Sequence, residues 1–193
     1  MTPVDSLPLP AADGLNIGAL AGLFRHTTNS YKFVFFLALL DLLKRDPFKG
    51  NRPYTYAEIT LEMLTIAWFA HTFFKLSFGV ADKIAEKLDA LDFEFQASAN
   101  HFARDRQALR TALQKSDLQD AGSLMNDVPY RLLRPFLEPH LNGVDKGSGI
   151  FERAMPRITH AHFATARPLY RFNSDDYGQC ASITFHPDWV AYL

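Results

Sequence analysis

A chain of 193 residues with 48% hydrophobic and 21% charged side chains has enough apolar mass for one buried core, or one core with a small appendage, which excludes wholesale disorder. The formal net charge of −1 excludes a global field that would draw the molecule onto nucleic acid or an acidic membrane, so any nucleic-acid contact must come from a local basic patch. A single cysteine, Cys180, excludes an internal disulfide framework and suits a reducing compartment.

The lead-in from Met1 to Asp13 is Pro-rich and extended, with no basic segment of the kind that opens a signal peptide. Asn16 is spaced to cap a short helix through about Arg25, with Ile17, Leu20, Leu23 and Phe24 on one face. The cluster Thr27-Thr28-Asn29-Ser30 opens a second helix, Tyr31 to about Arg45, ended by Pro47 and Gly50. It is apolar nearly all round and is therefore expected at the centre of the fold. Its longest apolar run, Phe33 to Leu40, is far short of the roughly 20 residues a membrane span requires. The expected location is the cytoplasm, with no membrane partner.

Thr55-Tyr56-Ala57-Glu58 has the spacing of a capping box and starts a long helix to roughly Lys75. Val80 to Leu91 reads as an amphipathic helix and Ala99 to Lys115 as the most polar one. After Asp127 the texture changes, because Pro129, Pro135, Pro139, Pro156 and Pro168 break the pattern into expected short helices over Tyr130–Leu137 and Ile150–Met155. Leu169–Phe172 and Ser182–Phe185 alternate with period two around a turn-rich segment, which predicts a β-hairpin. His186-Pro187-Asp188-Trp189 is a helix start. The apolar residues that follow it to Leu193 make an unusual terminus and predict continuation into a longer protein. The fold class expected is mainly α, with residues 1–127 as a helical core and 128–193 as a Pro/Arg-rich extension, packed on that core, with short helices and a small C-terminal hairpin.

Seventeen phenylalanines, which have no polar tip, must be placed in a core or an interface. Chemistry is sparser. The sequence contains no Gly-x-Ser-x-Gly, no phosphate-binding Gly-rich Lys loop and no dinucleotide fingerprint. His160-Ala161-His162, read as part of a strand, would point both rings to one face, and a zinc site would then need Cys180 or His186 from the hairpin. The alternative is a pair of surface or core-edge histidines. Asp175-Asp176 reads as a solvated turn pair, and His71 as a packed core histidine rather than a general base.

Two features suit phosphate. The helix start around Thr28, Ser30 and Lys32 offers N–H groups, hydroxyls and a cation, the alternative being an ordinary cap with Lys32 in solvent. From Val128 to Arg171, seven basic residues face three carboxylates, a local balance of +4, with Arg131, Arg134, Arg157 and Arg171 as the candidate contacts and ordinary surface as the alternative.

The blocks Leu15-Asn16-Ile17-Gly18-Ala19-Leu20, Thr27-Thr28-Asn29-Ser30-Tyr31-Lys32-Phe33 and Phe35 to Asp41 resemble the N-terminal region of bacterial HNH endonuclease domain-containing proteins. Further blocks follow in the same order: Ile66 to Phe69, Lys75 to Gly79 with Asp82-Lys83, Pro129 to Leu133, and Leu169-Tyr170 before Ile183 and Trp189. In that family the metal-ligating and general-base histidines lie downstream, on a ββα unit. No residue of this chain matches that motif, so the resemblance implies no catalytic residue here. It implies a nuclease-associated context, such as cleavage of foreign DNA, with a divalent metal in the downstream domain and no cofactor in this chain. The partner expected is DNA, a partner protein or a second copy. The rival readings are a stand-alone protein-interaction module and a small metal-dependent hydrolase built on His160, His162 and His186.

Overall fold

A computed structural model describes residues 9–25, 30–50, 52–78, 83–91, 95–96, 102–116, 118, 120–145, 147 and 149–193. The chain is mostly helical with a small antiparallel sheet. Helix α1 (Ile17–Ala21) starts where Asn16 Oδ1 accepts the backbone N–H of Ala19 at 2.9 Å. Helix α2 (Tyr31–Arg45) has the expected bounds and buries Val34, Phe35, Ala38, Leu39, Leu42 and Leu43, the three- and four-residue spacing of one helical face. Its outer face leaves Phe33 and Leu37 exposed. Gly50 then turns the chain at φ +55, where a Cβ would stand 2.3 Å from Val190 Cγ2. Only glycine fits that φ and that contact together.

Strand β1 (Tyr54–Thr55) leads into α3 (Tyr56–Trp68) through the predicted capping box. The backbone N–H of Thr55 donates to Glu58 Oε2 at 2.8 Å, and that of Glu58 donates to Thr55 Oγ1 at 3.2 Å. The expected helix to about Lys75 changes form, because Phe69–Phe73 is a π-helical turn. The rings of Trp68, Phe69, Phe73 and Phe74 pack edge to face through it. Helices α4 (Lys83–Ala90) and α5 (Phe102–Leu113) pack on α3, and a 3₁₀ stretch, Asp120–Met125, leads to α6 (Val128–Leu132) and α7 (Arg134–Leu137).

The largest departure from expectation is α8 (Ile150–Ala166), which runs straight through Pro156. Proline removes one helical hydrogen bond, but Phe151, Met155, Pro156 and Thr159 are all buried on one face, and that packing outweighs the break. The helix ends at Arg167 in the left-handed conformation, φ 45. Strands β2 (Tyr170–Phe172) and β3 (Ser182–Phe185) form the expected hairpin, with Tyr170 opposite Phe185 and Phe172 opposite Ile183. Asn173 braces its turn by accepting from the N–H groups of Ala181 at 2.7 Å and Ser182 at 2.9 Å. Strand β1 adds to the far edge of β3, giving the order β1-β3-β2. Residues from both halves of the chain therefore share one sheet and one hydrophobic cluster.

Helix α9 (Pro187–Tyr192) closes the chain, with Trp189 fully buried and its indole N–H donating to the carbonyl of Arg167 at 2.7 Å. Among the described residues, no helix is long and apolar enough to cross a membrane.

Candidate nucleic-acid interface

Thr28 lies outside the described residues. Ser30 is the N-cap residue of α2, with helical rather than extended backbone angles. Lys32, on the first turn, is half-buried, and its ammonium is pushed below the usual lysine range, first by burial and then by the neighbouring positive charge of Arg134. The start of α2 and the start of α7 thus bring two expected phosphate contacts into one neighbourhood. Arg134 itself makes an exposed pair with Glu138, 3.3 Å apart and one turn along.

Arg131 is committed elsewhere. Its Nε donates to Glu152 Oε1 at 2.5 Å, and the Glu152 side chain is 1% exposed. Glu152 also accepts the backbone N–H of Gly149 at 2.6 Å, which ties the start of α8 to α6. Burial would raise the Glu152 carboxyl, but the hydrogen bonds from Arg131 and the backbone outweigh it and hold it below the usual value. Arg131 is therefore a structural partner of a buried acid, although its local charge context alone pointed to phosphate.

Arg157 stands with Arg153 on the outer face of α8, four residues apart and so one above the other. Both line a cleft of about 830 Å³ between α8, His140, Val144 and the turn Asp175–Gly178. Among the described residues, neither guanidinium makes a hydrogen bond or an ion pair. Across the cleft, Asp176 Oδ1 accepts the N–H of Gly178 at 2.9 Å, and Asp175 and Asp176 offset the charge of the two arginines. Arg171, exposed on β2, lies over the ring of Phe163 at 4.9 Å.

The histidines separate. His160 and His162 are on α8, not on a strand, and two residues along a helix turn by about 200°, so the rings diverge. His160 Nε2 donates to the carbonyl of Phe172 at 2.8 Å, fastening α8 to β2. His162 stacks on His140 with centroids 3.7 Å apart. His186 Nδ1 accepts the N–H of Asp188 at 3.3 Å as the cap of α9. Burial, joined by Arg167, lowers its pKa against the pull of Asp188. Among the described residues, no three His, Cys, Asp or Glu side chains converge as a metal site. His71 is not a packed core residue. Its ring is 22% exposed in the π-helical turn, and its Nε2 is 2.8 Å from Asp89 Oδ1.

Two clusters were not anticipated from the sequence. Tyr56 and Tyr130 share a hydrogen bond of 3.0 Å between hydroxyls, beside Cys180, whose thiol is raised chiefly by burial and so is poorly set up as a nucleophile. The other centres on Glu62, in the middle of α3 and 0% exposed. Its Oε1 accepts Arg106 Nη2 at 2.7 Å, and its Oε2 accepts Arg45 Nη2 at 2.5 Å and Arg110 Nε at 3.0 Å. Arg106 also donates to Asp41. A Glu among Ile59, Met63 and Leu64, with Arg106 and Arg110 one turn apart on another helix, was the signal available in the sequence. Comparison with family models, curated proteins and solved structures finds no match to this chain.

Proposed function

We propose that this chain is the non-catalytic recognition part of an HNH-type DNA endonuclease and that it holds duplex DNA by its phosphates. One observation carries the reading: Arg153 and Arg157 stand exposed, one helical turn apart, and among the described residues neither guanidinium is hydrogen-bonded or ion-paired, although Asp175 and Asp176 line the same cleft. Unpaired guanidiniums in register with each other suit consecutive phosphate contacts. Lys32 and Arg134 supply a second cationic point. The divalent metal and the histidine-activated water belong to the nuclease part that the resemblance implies, and no residue of this chain is assigned to them.

Salt-titrated binding to a duplex oligonucleotide tests this. Replacing both Arg153 and Arg157 by Ala should weaken binding to all sequences alike and reduce the log–log salt slope by about 1.8, at ~0.9 per lost contact. A double variant with the parent's affinity and slope rejects the assignment. Phe33 and Leu37, 43% and 47% exposed one turn apart on α2, favour a second reading in which this chain docks a partner protein. Absence of any DNA binding near 50 mM salt, the strong-binding end of a typical titration at ~50–200 mM, moves that reading ahead.

A further inference from the structure

Charge is concentrated a second time, away from the α8 cleft. A cavity of about 160 Å³ opens where α2, α3 and α5 meet, lined by Asp41, Lys44, Arg45, Glu62, Gln107 and the two arginines of α5, Arg106 and Arg110. That volume is room for about five waters at ~30 Å³ each, enough for one tetrahedral oxyanion with a water or two. Four cations line it against two carboxylates, leaving a net charge of +2.

The carboxylates cannot use up the donors around them. Among the described residues, the three guanidiniums make five hydrogen bonds to side-chain acceptors, all on Asp41, Glu62 and Gln107. That is a minority of the donors in three forks. The fully buried Glu62 holds the three forks together, so folding has already met the cost of assembling like charges, and an incoming anion finds them preorganised. Lys44, 64% exposed and only 3.9 Å from Asp41, stands at the open side.

We infer that this cavity binds a phosphate group, with Arg45, Arg106 and Arg110 as its donors, Lys44 as the cation at its mouth and Glu62 as the buried counter-ion that positions the forks. The group belongs either to a free phosphorylated compound or to a nucleic-acid backbone, since both present the same oxyanion. None of the lining residues belongs to the α8 cleft, so this site does not rest on the DNA reading above.

The full chain is titrated with inorganic phosphate by calorimetry, and its melting is compared in phosphate and in chloride at equal ionic strength. One saturable site and a higher Tm in phosphate are expected. Lys44→Glu, at an exposed position that leaves the Glu62 network in place, should weaken phosphate by about tenfold. Asp41→Asn keeps an acceptor for Arg106, raises the net charge of the lining and should tighten phosphate severalfold. A duplex oligonucleotide that displaces phosphate assigns the site to a nucleic-acid backbone, whereas phosphate binding without displacement assigns it to a free compound. Phosphate binding no better than chloride, or a Lys44→Glu chain that binds phosphate as the parent does, overturns the site. Either failure leaves the Arg153/Arg157 test unaffected.

Discussion

Replacing Glu62 by Ala tests how the helical core is held together. The carboxylate is 0% exposed and accepts from three arginines on two other helices, so the change unties α2, α3 and α5 at one point. Removing one partner of a buried ion pair costs about 3–5 kcal/mol, chiefly because charge is left uncompensated. Here the stranded groups are arginines with 39%, 24% and 14% exposure, which water can partly reach, and Asp41 still pairs with Arg106. Screening therefore places the loss at the lower end, about 3 kcal/mol. For a chain of this size each kcal/mol lowers Tm by about 2–4 °C, so the variant should melt about 6–12 °C below the parent. Urea and thermal unfolding followed by circular dichroism measure it. A Glu62→Ala chain that melts within a degree of the parent would show that these contacts are incidental. Coupling supplies an internal control, since Arg110→Ala should cost far less in the Glu62→Ala background than in the parent.

Three further outcomes follow from individual contacts. Thr55→Ala removes one half of the capping box and should cost about 1 kcal/mol in urea unfolding, so unchanged stability would reject the cap. Gly50→Ala forces a Cβ into φ +55 and against Val190, and should cost about 2–4 kcal/mol, while adding Val190→Ala should recover part of it. The depressed Glu152 carboxyl contributes stability that is present above the unfolded value of 4.5 and is lost as pH falls through the lower folded one. The stability gap between the parent and Arg131→Ala should thus narrow as pH drops below that value, and a gap independent of pH would contradict the pairing.

The local signals in the sequence were sufficient where the physics was local. The bounds of α2, the Thr55–Glu58 box, the Asn16 cap and the β2–β3 hairpin each depend on residues a few positions apart, and each stands as read. Charge counting was less informative, because it cannot tell a solvated guanidinium from one bound to a buried acid. Arg131 and Arg157 looked alike in sequence, yet one holds Glu152 and the other stands in the cleft.

What only tertiary structure decided is the set of long-range choices. Pro156 should end a helix by its own chemistry, and the buried face of α8 overrode it, carrying His160 and His162 off the expected strand and away from each other. Strand β1 is two residues long and has no pattern to read; it exists because the edge of β3 offers it partners. Glu62, one acid in an apolar helix, becomes the hub of three arginines only when α2 and α5 are laid beside α3. Periodicity and capping are written within one helical turn, whereas the partner of a buried charge is chosen by whichever distant segment the fold brings within about 3 Å.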